Sequence, residues 1–263
     1  MISMNSQFDA ACEAVREAGR VIQSHIGKVT FREKAKSDLV TDADVAAQLA
    51  IQRVLSRRFP RYAFLGEEST LEEQRAARES GHPIWVVDPL DGTTNFVHRM
   101  PGFCVSIALV VEDRVQLGVI HDPIQHTIYW AVEDGQAMRD GKAIAVSDCN
   151  RLDQALVCCS LAPGVRRTDP SVAQFLNVLE SCQSIRRLGS AALNLCYLAE
   201  GILDSYWATS VKSWDVAAGY LIARQAGAVF SQIDGNCFDL WNPELLACAT
   251  EELHQQMQDC MNR

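Results

Sequence analysis

Trp85-Val86-Val87-Asp88-Pro89-Leu90-Asp91-Gly92-Thr93-Thr94-Asn95-Phe96 is the stretch around which the rest of the chain is organised. Ile84 to Val87 is a short apolar run, long enough for one buried strand. Proline has no N–H to give a ladder, so the strand is expected to end at Asp88-Pro89. Asp91-Gly92-Thr93-Thr94 then reads as a tight turn leading into a helical turn. Two carboxylates three residues apart are thus held at a rigid strand end, next to backbone N–H groups at the start of a helix. Carboxylates suit hard cations and helix N-termini suit phosphate, so the loop reads as a metal-bridged phosphate site. Taken alone, such a D-x-x-D loop is more often a plain turn, since Asp and Gly populate turns anyway. The stretches around it decide.

The 263 residues are 48% hydrophobic and 22% charged, an ordinary globular composition. That length suits one large domain or two halves sharing a core. The formal net charge is −9. No basic stripe stands out, which argues against direct nucleic-acid binding. An acidic protein that handles phosphate needs metal ions to reverse the local sign. The 10 cysteines are scattered, with Cys158-Cys159 adjacent and no C-x-x-C pair. No secretory signal precedes the first amphipathic segment, which carries Asp9, Glu13, Arg16 and Glu17. The cysteines therefore read as reduced, mostly buried thiols of a cytoplasmic protein, and no zinc site is expected. No apolar run reaches the ~18 residues a membrane helix needs.

On the N-terminal side of the central stretch, residues 6 to 26 carry apolar residues at helical spacing, with Ser6 and Asp9 resembling a capping box. Lys28 to Ala35 is a hairpin or loop. Thr41-Asp42-Ala43-Asp44 opens a second helix, Thr41 as N-cap and Asp44 three residues on. Tyr62 to Leu65 is a short strand that stops at Gly66-Glu67-Glu68-Ser69, and Glu72 to Glu79 is a charged helix or loop. On the C-terminal side, residues 103 to 147 alternate as an antiparallel meander, with turns at Glu112-Asp113, Asp122-Pro123 and Asp134-Gly135. His121 and His126 lie there without an acidic partner spaced for metal binding, and read as surface or hydrogen-bonded histidines. A polar stretch near 148–154 marks a junction, giving an N-terminal half (1–150) and a C-terminal half (151–263) of one compact catalytic unit. Beyond it strands and helices alternate, as in a sheet covered by helices. Gly189-Ser190-Ala191-Ala192 starts one of these helices with small residues, where a ligand can approach the backbone. Trp214-Asp215-Val216 starts another.

Four fragments now need one explanation: Thr41-Asp42-Ala43-Asp44, Gly66-Glu67-Glu68-Ser69, Asp88 to Thr94, and Trp214-Asp215. Together they resemble the inositol monophosphatase family of magnesium-dependent, lithium-sensitive phosphatases. The resemblance implies an α/β (α+β) fold, a layered α-β-α-β-α sandwich, with two or three Mg²⁺ ions. It implies Glu67, Asp88 and the Leu90 carbonyl at a first metal site, and Asp88, Asp91 and Asp215 at a second. Glu67 also faces a weaker third ion, with Glu68 in a supporting role. Asp44 and Thr93 match the pair that positions and deprotonates the attacking water. The N–H groups of Gly92 and Thr93 would hold the phosphate, beside Thr94, Gly189, Ser190 and Ala191. The implied partners are a small phosphorylated substrate and a second copy in a homodimer, with no nucleic acid and no membrane.

Electrostatics supports the same reading. Carboxylates converging at ~5 Å repel by about 3 kcal/mol per pair at an effective dielectric near 20. Two Mg²⁺ ions set four positive charges against four negative ones, and oxygen-only ligands fit Mg²⁺ better than zinc. Substrate choice is less determined. Six residues before Trp214, inositol-directed members usually carry a glutamate that contacts sugar hydroxyls, and this chain has Ala208. An inositol-1-phosphate-like alcohol phosphate leads. Histidinol phosphate and other sugar or nucleotide phosphates stay open, as does a second class, a regulatory protein-binding partner of the transcription or ribosome machinery.

Overall fold

A computed structural model of the chain describes residues 4–28, 31–35 and 38–263. Helix α1 (Met4–His25) is followed by β1 (Phe31–Ala35) and β2 (Asp38–Thr41), an antiparallel pair, and by α2 (Asp42–Arg58). Ser6 lies inside α1, so it does not cap the helix as its spacing suggests. The expected hairpin or loop from Lys28 to Ala35 falls partly outside the described residues. Thr41 does cap α2: its hydroxyl accepts from Ala43 N, and Asp44 accepts from Thr41 N.

Next come β3 (Ala63–Gly66), α3 (Leu71–Glu79), β4 (Ile84–Asp91), α4 (Thr93–Val97), β5 (Cys104–Val111), β6 (Arg114–Asp122), β7 (Thr127–Val132), β8 (Met138–Arg139) and β9 (Lys142–Ala143). These strands form a seven-stranded sheet in chain order, parallel only between β3 and β4. The meander is the one its alternation predicts. Its β5–β6 turn places Glu112 and Asp113 at φ 50° and 60°, the left-handed pair a two-residue hairpin needs.

The C-terminal part holds β10 (Leu156–Ser160), α5 (Pro170–Ser181), β11 (Ser184–Arg186), α6 (Ala191–Ala199), β12 (Ser205–Ala208), α7 (Ser213–Gln225), β13 (Val229–Gln232), β14 (Leu245–Cys248) and α8 (Glu251–Met261). Its sheet runs β11-β10-β12-β14-β13.

The layers follow from which faces are apolar. Ala11, Val15 and Ile22 of α1 and Ala47 and Ile51 of α2 bury against Trp85, Val105 and Leu117 on one face of the large sheet. On its other face lie α6 and α7, whose Leu195, Leu198, Leu221 and Ile222 also meet Tyr206 and Ala247 of the small sheet. Helices caught between two sheets are apolar around most of their surface. The packing there is close. A Cβ on Gly118 of β6 would sit 2.6 Å from the Ala218 carbonyl oxygen of α7, and one on Gly219 of α7 would sit 2.7 Å from Leu195 Cβ of α6. Helices α5 and α8 cover the outer face of the small sheet, through Val178, Leu253 and Met257. The result is the α-β-α-β-α sandwich.

Strand β4 departs from expectation in an informative way. It does not stop at Asp88-Pro89 but runs on to Asp91. Asp88 pairs with Ser106 and Asp91 with Cys104, so Pro89 and Leu90 together face only Val105. This is a one-residue bulge, which absorbs the N–H that proline lacks. In a regular strand, residues three apart point to opposite faces. The extra residue turns Asp91 to the side of Asp88, and both line one cavity.

His121 is buried, with Nδ1 bonded to the Val15 carbonyl at 3.1 Å, and its ring lies where a Cβ on Gly19 would be. Burial, the main cause, pushes its pKa below the ordinary value. The folded protein then holds fewer protons than the unfolded chain, so this histidine's contribution is intact above the usual pKa of about 6.5 and is lost as pH falls below it. We expect His121→Asn to cost stability at pH 7.5 and to cost less at pH 5.5, read from urea midpoints. A gap that widens on acidification would contradict this.

Candidate metal and phosphate site

Three separate segments bring four acids to one cavity of about 670 Å³. Glu67 follows β3, where its N–H donates to the Val87 carbonyl and so extends the parallel ladder past Gly66. Asp88 and Asp91 flank the bulge of β4. Asp215 stands in the first turn of α7, accepting from Lys212 N at 2.7 Å. Asp88 is 2% exposed and Asp91 8%. Burial first, then the like charges of Glu67, Asp91 and Asp215, drives the Asp88 carboxyl well above the usual carboxylate range. Burial also raises Asp215, followed by the charges of Asp91 and Glu67. Asp88 and Asp215 line the same cavity and raise each other's cost of ionising, a cost that a shared proton or a cation relieves.

Asp91 is held differently. It accepts from Ser190 Oγ at 2.5 Å, Ala192 N at 2.7 Å and Ala191 N at 3.3 Å. Burial raises its pKa and these bonds pull it back. The small-residue start of α6 is thus approached by a carboxylate of the chain itself. Ser190 is 1% exposed and its hydroxyl is committed to Asp91, while Gly189 and Ala191 reach the cavity wall.

The turn after β4 behaves as read. Gly92 takes φ 93° as N-cap of α4, and a Cβ there would meet the Gly102 carbonyl oxygen at 2.8 Å. First-turn N–H groups have no partner within their own helix, which leaves those of Gly92, Thr93 and Thr94 beside the acids. The Thr93 hydroxyl has two acceptors for its one proton, Asp44 Oδ1 at 3.1 Å and the Leu90 carbonyl at 3.0 Å. Asp44 is 1% exposed. Its other oxygen accepts from Thr41 N and Thr41 Oγ1. Burial raises its pKa, and the bonds from Thr41 lower it. The Asp44 carboxylate thus joins the cap of α2 to Thr93, which lines the cavity. Glu68 donates its N–H to Gln48 Oε1 at 3.0 Å and lies near enough to Asp44 to raise its pKa further.

Several residues that shape the site escaped the sequence reading. Asn95 Nδ2 donates to both the Gly102 and Leu188 carbonyls at 2.7 Å, tying the acid loop to the C-terminal part. The cavity is also lined by Ser160, the segment from Leu161 to Val165, Arg187, Ser210 and Val211. Ala208 is fully buried at the end of β12, and the wall is met two residues later, at Ser210. The signal for Ser160 and Ser210 was available, since Ser160 ends β10, Ser210 follows β12, and the two apolar strands are parallel.

The donor chemistry of Glu67, Asp88, Asp91, Asp215 and the Leu90 carbonyl, all of it oxygen, fits hard divalent cations. Among the described residues, no three His, Cys, Asp or Glu side chains are yet gathered tightly enough about one point to hold an ion. No helix among them is long and apolar enough to cross a membrane.

The sequence matches the inositol monophosphatase family model over residues 4–262. It is 35% identical to the Nus factor SuhB of Pasteurella multocida, over 98% of each chain. It is 36% identical to an inositol-1-monophosphatase of Synechocystis, over 98% of this chain and 89% of that one. Among solved structures, the extragenic suppressor protein suhB of Bartonella henselae superposes with a TM-score of 0.90 at 30% identity, covering 97% of this chain and 98% of its own. The chain belongs to the inositol monophosphatase family, and with it to the phosphoric monoester hydrolases.

Proposed function

We propose that the protein is a Mg²⁺-dependent phosphomonoesterase acting on a small alcohol phosphate of the inositol-1-phosphate kind. The observation that carries this is the gathering of Glu67, Asp88, Asp91 and Asp215 at one cavity, where burial and mutual repulsion raise the Asp88 pKa. Glu67, Asp88 and the Leu90 carbonyl would hold one ion, and Asp88, Asp91 and Asp215 a second, with Glu67 facing a weaker third and Glu68 in support. The segments bearing these acids are fixed by strand, bulge and helix, so side-chain rotation alone brings them to an ion. When bound, two such ions lower the pKa of a water and stabilise the leaving oxygen.

The chain's own groups supply the rest. The Thr93 hydroxyl, donating to Asp44, turns its lone pairs to an attacking water and holds it in line. Asp44 is the final proton acceptor, reached through Thr93. The N–H groups of Gly92, Thr93 and Thr94 receive phosphate oxygens, and Gly189 and Ala191 leave room for the alcohol. Phosphate release should need Mg²⁺ and stop on adding EDTA. Turnover that survives complete chelation would rule the reading out.

The likeness to a Nus factor supports a second reading, a protein-binding role in transcription. Phosphate release is the discriminating assay, because a scaffold without catalysis would be silent over a broad panel of phosphate esters at any Mg²⁺ concentration.

A further inference from the structure

The wall of the cavity is chemically mixed. Its acids are Glu67, Asp88, Asp91 and Asp215. Among the described residues, its wall carries one cationic side chain, Arg187. Arg187 lies between β11 and α6, one residue before Leu188, whose carbonyl is held by Asn95 Nδ2 at 2.7 Å. Its backbone is therefore anchored to the same loop that bears Asp88 and Asp91. The adjacent Arg186 is tied back to Ser184 Oγ and the Ile185 carbonyl. No described carboxylate forms an ion pair with Arg187, although the chain pairs arginines elsewhere, as in Arg151–Asp153 and Arg224–Glu133.

A hydroxyl lines the same cavity in a defined sense. Tyr206 OH donates to Ser160 Oγ at 2.9 Å. Tyr206 is fully buried, and burial pushes its pKa upward, so it stays a donor. With an acceptor position of Ser160 occupied in this way, its own proton is directed to another acceptor, and Ser160 lines the cavity. Ala208, in register with Ser160 across β10 and β12, brings no carboxylate beside that hydroxyl.

We propose that Arg187 and the Ser160 hydroxyl form a second anion subsite, so that the enzyme prefers alcohols carrying a further phosphate and disfavours cationic ones. A guanidinium offers paired donors matched to phosphate oxygens, and the same charge repels an ammonium or imidazolium tail. The inference rests on the phosphatase reading and sets the charge of its substrate.

The test compares kcat/KM at saturating Mg²⁺ for inositol 1-phosphate, inositol 1,4-bisphosphate and histidinol phosphate, in the wild type, Arg187→Ala and Arg187→Glu. The bisphosphate-to-monophosphate ratio should fall at least about tenfold in Arg187→Ala, the scale of a lost hydrogen bond to a charged group, and further in Arg187→Glu. The change should appear mainly in KM, and the relative rate on histidinol phosphate should rise. Arg187 is exposed, so the variants should melt with the wild type. Ratios that do not move, or a uniform loss on all three substrates, would overturn the subsite while leaving the phosphatase reading in place. A wild type inactive on all three would overturn both.

Discussion

Replacing Asp88 with asparagine should make the metal-free protein more stable and, in the same step, nearly abolish its activity. Asp88 is 2% exposed, and burial together with Glu67, Asp91 and Asp215 raises its pKa well above the ordinary carboxylate value. A group whose pKa is higher in the folded state favours folding at low pH, and this benefit is lost as pH rises through the folded value. At neutral pH the charged carboxylate is therefore a burden that asparagine, of nearly the same shape, removes. Magnesium reverses the comparison. An ion that binds only the folded state adds about 2.7 kcal/mol at 100 times its Kd, and Asp88 is the carboxylate both proposed sites share. The melting temperature of Asp88→Asn should exceed that of the wild type in EDTA and respond far less to added Mg²⁺. Its kcat should fall by at least ~100-fold, the scale lost with one key electrostatic group. A variant that is less stable in EDTA and still activated by Mg²⁺ would show that Asp88 serves packing alone.

Asp44→Asn should separate chemistry from metal binding. Its two oxygens have distinct duties: one caps α2 through Thr41 N and Oγ1, and the other receives the Thr93 proton. Asparagine keeps an acceptor for the cap, so the fold should survive at a loss of about 1 kcal/mol. It cannot take up a proton at neutral pH. The kcat should drop by about 10²–10⁴-fold, the usual contribution of a positioned general base, while the Mg²⁺ concentration for half-maximal activity changes little. A matching loss of Mg²⁺ affinity would place Asp44 among the ligands instead.

The residues that proved easiest to read are those whose chemistry is local. Thr41 and Asp44 announce a capped helix start, and the structure contains that cap. The alternation from Val105 to Val132 specifies a meander because side chains point alternately in and out. The four acids were legible as a set only through their family-like order, and Asp215 stands beside the other three as that order requires. What stayed hidden depends on contacts across the chain. The bulge at Pro89 exists because β5 offers one residue opposite two, which no local rule states. The commitment of Ser190 to Asp91 spans 99 positions. Arg187 faces the cavity through the clamp of Asn95 on Leu188, while Arg186 beside it does not line it.

Direct counting of bound Mn²⁺ by electron paramagnetic resonance, in the wild type and in Asp88→Asn, bears most closely on the account. Two or more ions per chain should bind the wild type, be displaced by Mg²⁺, and be largely lost in the variant. A wild type that binds none, or a variant that binds as many as the wild type, would mean that these acids do not form a cation site.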